Sequence, residues 1–218
     1  MKKNDPVWLN IGSGVNLAGE FINVDNFFDL EDLKNGIKTK KGPFKNARIA
    51  KGARFVRADV CDLPFEDNSV DYIECNDMIE HLPFSKVLDG LKEMYRVLKP
   101  GSKLCLSTVN FDELARLWTS FIEGNLLKGK HDWDMYISLA QVIYGNQAGE
   151  GEYHKTPFNP FTLGSFFHSA GFKLDNIVIS VYPTGSPYVT PQKVYKSLNF
   201  DFKGKVILTE QLWVEATK

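Results

Sequence analysis

Residues 7–11 (VWLNI) form a short apolar run that ends in Gly12-Ser13-Gly14, and the next apolar run, 21–24 (FINV), follows after only residues 15–20. Short apolar runs bounded by glycine read as buried strands. The interval between these two is too short for a proper phosphate-binding helix. The expectation is a sheet whose helix after the first strand is shortened or missing. Glycine in the loop permits positive φ and lets a ligand approach the backbone closely.

Further strands are expected at 54–58, 70–75 and 103–109, and a lysine-rich loop with one helix at 26–52. Residues 84–98 read as an amphipathic helix, with Val87, Leu88, Leu91, Met94, Tyr95 and Leu98 on one stripe. Lys99-Pro100-Gly101 stops it. One or two helices are expected in 111–147, with Leu114, Leu117, Trp118 and Phe121 on one side of the first, and another at 161–170, ended by Gly171. Residues 172–181 and 206–216 alternate as strands. No crossover helix joins them, so they should pair antiparallel at an edge. The fold class that results is α/β: a Rossmann-like, doubly wound, mostly parallel seven-stranded sheet with an antiparallel edge hairpin.

Apolar residues make up 43% of the 218 and charged residues 24%, which suits a packed globular core rather than a disordered chain. A formal charge of −1 gives no whole-protein case for nucleic acid as a partner. Cys61, Cys75 and Cys105 form no CxxC pair. His81, His131, His154 and His168 include no i,i+4 pair, so no metal site is expected. The first residues lack the apolar core of a secretion signal, and no run reaches the 18 residues of a membrane span. The expectation is a cytoplasmic protein.

In an open parallel sheet, ligands bind beyond the C-terminal ends of the strands. Gly12, Ser13 and Gly14 follow the first predicted strand, Asp25 the second, Asp59 the third, and Asn76-Asp77 the fourth. A carboxylate after the second strand can accept from both hydroxyls of a ribose, and one after the third from an exocyclic amine such as that of adenine. Plainer roles stand beside these. Asp25 could cap a helix, and Asp59 could form an Asx turn, with Asp62 competing for its place. A dinucleotide would want G-x-G-x-x-G, but Leu17 stands at the third glycine, and there is no P-loop pattern. A ligand with a ribose and an amine but no phosphate fits better.

The stretches LNIGSGVNLAGEFINVDN, ADVCDLPFEDNSVDYIECNDMIEHL and LKEMYRVLKPGSKLCLST together resemble the class I S-adenosylmethionine-dependent methyltransferases, and most closely the type 11 small-molecule group. The resemblance covers roughly residues 7–110. It implies S-adenosylmethionine as cofactor and S-adenosylhomocysteine as product. It also implies that the Gly12–Gly14 loop backs the methionine part, that Asp25 holds the ribose, and that Asp59 with the backbone of Val60 reads adenine. Asn76 and Asp77 would flank the sulfonium and the target. The missing first helix departs from the family pattern and brings Ser13 and Asn16 forward as further contacts.

One domain, 1–218, is expected, with a cofactor-binding core at 7–110. A helical acceptor-binding insertion or cap would occupy 111–160, and a helix with the C-terminal strand pair 161–218. A small-molecule, sugar or peptide acceptor would receive the methyl on O or N. His154, in the loop GEGEYHKTPFNPF, is the first candidate for a base, and His81, in EHL, the second. Asn159-Pro160-Phe161 resembles part of the adenine-methylating signature, but it lacks the second proline and does not follow the fourth strand. Lys34, Lys38, Lys40, Lys41, Lys45, Arg48, Lys51, Arg54 and Arg57 read as a solvated basic face, or as a site for an anionic substrate. Of the aromatics Trp118, Phe121, Trp133, Tyr136 and Tyr144, most should be core and some could line an acceptor pocket. The alternative function is a non-catalytic binding or scaffold protein that keeps the fold.

Overall fold

The computed structural model describes residues 5–39, 47–129, 133–147, 149–180 and 211–218. In chain order the strands are β1 (Trp8–Ile11), β2 (Asn16–Leu17), β3 (Ile22–Asp25), β4 (Arg48–Ile49), β5 (Arg54–Arg57), β6 (Val70–Asn76), β7 (Leu98–Val109), β8 (Ile177–Ser180) and β9 (Gln211–Thr217). The helices are α1 (Leu30–Thr39), α2 (Phe84–Val97), α3 (Phe111–Lys128), α4 (Trp133–Tyr144) and α5 (Pro160–Ala170). Seven strands make one sheet in the order β5-β3-β1-β6-β7-β9-β8. The five from β5 to β7 are parallel, and β9 lies antiparallel between β7 and β8. The mostly parallel sheet and its antiparallel edge are those expected.

Alternation along the strands gives the sheet two different faces. Leu9, Ile11, Ile73, Cys75, Leu104, Leu106, Leu212 and Val214 are buried in the core against Val87, Leu91 and Met94 of α2 and Leu163 and Phe167 of α5. The opposite face is polar near its centre. There the Asn10 amide donates to Asn23 Oδ1 at 2.9 Å, Asn76 to Glu74 Oε1 at 2.9 Å, and Ser107 Oγ to Asn76 Oδ1 at 2.9 Å.

The helix after β1 is absent, and its place explains the polar face. The chain moves from β1 to β3 in one direction and from β6 through α2 to β7 in the other. Right-handed crossovers therefore put the two connections on opposite faces. Instead of a helix, residues 12–21 carry β2, which pairs with β4 in a two-stranded parallel ladder. Asn23, fully buried, holds this connection down. Its Oδ1 accepts from the Ala18 N–H, and its Nδ2 donates to the carbonyls of Ala18 and Arg54, all at 2.9 Å. Asn23→Ala leaves these groups unpaired, and unpaired buried groups cost ~1–3 kcal/mol each. A loss of about 2–4 kcal/mol is expected in urea unfolding; a loss below about 1 kcal/mol would show that the crossover is held by other contacts.

Three boundaries differ from expectation. Helix α2 ends at Val97 and runs straight into β7, which begins at Leu98 rather than at 103. The strand expected from 172 begins at Ile177, because residues 174–176 form a 3-10 turn and Phe172 is drawn into the core against Tyr95 and Phe167. Residues 206–210 of the last expected strand lie outside the described residues. Asn159-Pro160 proves to be a helix start. The Asn159 side chain accepts from Thr162 N–H in a capping box, with Pro160 in the first turn. Among the described residues, no helix is long and apolar enough to cross a membrane.

Candidate active site

The chain leaves β1 toward β3 on one side and returns to β6 on the other, so the crevice lies at the C-terminal ends of β1 and β6. Gly12, Ser13 and Gly14 stand there. Gly12 has φ +69° and donates its N–H to the Val24 carbonyl at 2.8 Å. A Cβ on it would lie 2.3 Å from Met78 Cγ, so the loop abuts the turn after β6. Gly14 has φ +52°, and among the described residues no atom beyond its chain neighbours lies within 4 Å of where its Cβ would be, so its backbone faces open space. Between them Ser13 is 7% exposed, and its hydroxyl, though buried, has no hydrogen-bond partner among the described residues. Buried polar atoms are nearly always paired, so this one points to a group supplied from outside.

Asp25 ends β3 and is 9% exposed. Its Oδ2 accepts from the Gly14 N–H at 2.9 Å and its Oδ1 from the Phe27 N–H at 2.8 Å. A carboxylate has about four acceptor positions, so each oxygen retains capacity for a donor such as a ribose hydroxyl. Asp59 is exposed, and its Oδ1 accepts from the Cys61 N–H at 2.8 Å. This is the Asx turn left open by the sequence, and it still leaves acceptor capacity. Asp62 is tied in by its backbone, donating to the Asp59 carbonyl at 3.0 Å. Val60 is a buried core residue, so only its backbone is suited to a ligand. Asn16 is part of β2 and exposed.

Asn76 is engaged within the sheet, to Glu74 and Ser107. Asp77 stands in the left-handed region at φ +48°. Its Oδ1 accepts from Gln211 Nε2 at 2.9 Å. Asp77 is exposed as a residue, yet the protein crowding its carboxyl pushes it above the usual carboxylate range, against the lowering effect of Gln211.

A further group, which spacing could not reveal, lies beyond Asp77. Glu80 is 3% exposed; its Oε2 accepts from Thr108 Oγ1 at 2.9 Å, while its Oε1 is buried without a partner among the described residues. Burial raises its carboxyl, and the nearby Asp77 raises it further. The Glu80 carbonyl accepts from Lys155 N–H at 2.7 Å and Thr156 N–H at 3.1 Å, stapling the His154 loop to this turn. His81 and His154 stack edge to face with ring centroids 4.8 Å apart. His81 Nδ1 lies 3.1 Å from the Tyr153 carbonyl. A carbonyl only accepts, so Nδ1 carries the proton and Nε2 is left with a lone pair. Burial lowers both imidazoles, which makes neutral rings the resting form at pH 7. The two histidine candidates, 73 positions apart in the sequence, are thus brought together.

Sequence reasoning missed three groups besides Glu80. Thr108, near the end of β7, and Asn110, just after it, are buried, and Asn110 Oδ1 has no partner among the described residues. Gln211 enters from β9. Alternation marks such positions as inward or outward without saying which of them carry a ligand. The aromatics of 111–147 are a correction. Trp133, Tyr136 and Tyr144 are exposed rather than core, at 67%, 38% and 55%. Trp118 and Tyr136 pack on each other at 5.1 Å across α3 and α4. Within the basic segment, Arg57 donates to the Asn26 carbonyl at 3.1 Å; Lys40, Lys41 and Lys45 lie outside the described residues.

Residues 9–106 match a family model described as a methyltransferase domain. A demethylmenaquinone methyltransferase of Staphylococcus epidermidis is 30% identical over 168 residues, covering 72% of this chain and 65% of the relative. One of Staphylococcus aureus is 33% identical over 120 residues, 52% of this chain and 45% of the relative. The chain thus spans less than two thirds of the length of these relatives. In fold, it is similar to a SAM-dependent methyltransferase structure from Archaeoglobus fulgidus, with TM-score 0.55, 18% identity, and coverage of 99% of this chain and 87% of the other. It is likewise similar to one from Methanosarcina mazei, with TM-score 0.53, 16% identity, and coverage of 98% and 93%.

Proposed function

The chain belongs to the type 11 methyltransferases, whose cofactor is S-adenosylmethionine, and from that premise we propose that it methylates a hydroxyl-bearing small molecule, with a quinol of the demethylmenaquinone kind as first candidate. The observation that carries the reading is the loop at the switch point: a buried Ser13 hydroxyl without a partner among the described residues, next to Gly14, whose N–H the Asp25 carboxylate accepts. These residues fit the cofactor. Asp25 would take the ribose hydroxyls, the open backbone of Gly14 and the Ser13 hydroxyl the amino acid part, and Asp59 with the backbone of Val60 the adenine. Asn76 and Asp77 would border the reacting end.

The bound cofactor supplies an activated methyl group on a sulfonium. The chain's own residues do the rest. The strand ends fix the direction of the methyl, and orientation of this kind contributes about 7–11 kcal/mol to rate. The segment 111–160 would cover the acceptor, with the aromatics of α3 and α4 suited to an apolar ring system. A hydroxyl acceptor must lose its proton to become nucleophilic. The neutral imidazole of His154 would take it, with His81 as second acceptor.

The test is product formation from S-adenosylmethionine and a short-chain demethylmenaquinol. Wild-type protein should release S-adenosylhomocysteine and methylated quinol. His154→Ala should lower kcat by roughly a hundredfold, within the range of general-base catalysis, and leave the affinity for S-adenosylhomocysteine nearly unchanged. Loss of cofactor affinity in that variant would contradict the base assignment. Cofactor binding with no transfer to any hydroxylated acceptor would favour the scaffold reading.

A further inference from the structure

One carboxylate oxygen of Glu80 and one ring nitrogen each of His81 and His154 lie within 4.8 Å of one another, and we propose that these three residues bind a divalent transition-metal cation. Two imidazoles and a carboxylate are a donor set that suits zinc, iron, cobalt or manganese, with bonds near 2.0–2.2 Å for zinc. Closing the three donors around such an ion needs a contraction of about 1 Å between them. Packing of the two rings alone would account for their edge-to-face contact, but not for the buried Glu80 Oε1, which has no hydrogen-bond partner among the described residues.

The cluster is also held as metal ligands are held. His81 directs Nδ1 to the Tyr153 carbonyl, the kind of contact that fixes ring orientation in metal sites. The His154 N–H donates to the Tyr144 carbonyl at 3.1 Å, and the next two residues donate to the Glu80 carbonyl. The three donors therefore belong to one hydrogen-bonded unit. Three protein ligands leave a position open for an oxygen from outside. On the methyl-transfer reading, the cation would favour loss of the acceptor hydroxyl's proton to water, and His154 would then hold the cation instead of taking that proton. The cation site itself stands on these residues alone, whatever reaction the chain performs.

The experiment is a titration of tag-free protein, stripped with EDTA and returned to chelator-free buffer, with Co(II) followed by visible absorption and with Zn(II) by calorimetry. One saturable equivalent per chain is expected. His154→Ala and Glu80→Gln should each weaken it by about tenfold or more, while His168→Gln, on α5 and outside the cluster, should not. Glu80→Gln retains an acceptor for Thr108, and thermal unfolding without metal verifies that it is folded. Absence of saturable uptake would overturn the proposal, as would uptake that persists unchanged in both cluster variants or falls equally in His168→Gln. None of these readouts involves methyl transfer, so failure here leaves the function proposed above intact.

Discussion

Asp25→Ala is expected to weaken S-adenosylhomocysteine binding by about a hundredfold to ten-thousandfold in isothermal titration. The estimate follows from two hydrogen bonds between ribose hydroxyls and a charged acceptor, at about 1.5–3 kcal/mol each. A second effect adds to it. The same carboxylate holds the N–H groups of Gly14 and Phe27, so its removal also frees the loop that the cofactor must meet. Asp25→Asn should be milder, because the amide keeps one oxygen for one of these two donors. NAD, run as a control, should bind neither protein. A wild-type protein that prefers NAD, or an Asp25→Ala variant that binds S-adenosylhomocysteine as tightly as wild type, would show that the site has been placed wrongly.

Gly12→Ala should be the most destabilising substitution at the strand ends, by about 3–5 kcal/mol, which corresponds to roughly 6–20 °C in melting temperature. Two costs combine. Position 12 has φ +69°, a region that alanine enters only with strain, and the new methyl would stand 2.3 Å from Met78 Cγ and 2.4 Å from Met78 Cβ. Gly14→Ala provides the contrast. It has a similar φ but open space, so only the backbone strain of ~1–2 kcal/mol applies. Pairing Gly12→Ala with Met78→Ala should recover part of the loss, because the Met78 Cγ is gone. Strictly additive effects in that double-mutant cycle would mean that the overlap is relieved elsewhere.

The sheet was readable from short apolar runs followed by glycine or acid, because burial and alternation are local properties of a strand. The missing helix was readable too, from the six positions between Gly14 and Phe21. What replaces it was not. A two-residue ladder between Asn16–Leu17 and Arg48–Ile49 depends on a pairing over more than thirty positions, and residues of such short strands carry no pattern. The same limit hid the cluster of Glu80, His81 and His154: ligand spacing along a helix is visible in sequence, but a loop folded back across 73 positions is not. In α3 and α4, periodicity showed which residues share a face. It could not show that Trp133 and Tyr136 face away from the core. Asp59 illustrates a third case, since one residue serves both as turn former and as strand-end acid, and the two readings were never exclusive.

The position of β9 has a consequence for the order in which the protein assembles. It is the last of the described strands in chain order, yet it lies inside the sheet, pairing with β7 across a separation of 102 to 114 positions. Contacts this distant in sequence close slowly. Until they close, β7 has an open edge, and β8, whose strand partner among the described residues is β9, has no strand beside it. Newly made chains therefore pass through a stage with exposed hydrogen-bonding edges, in which pairing between copies competes with completion of the sheet.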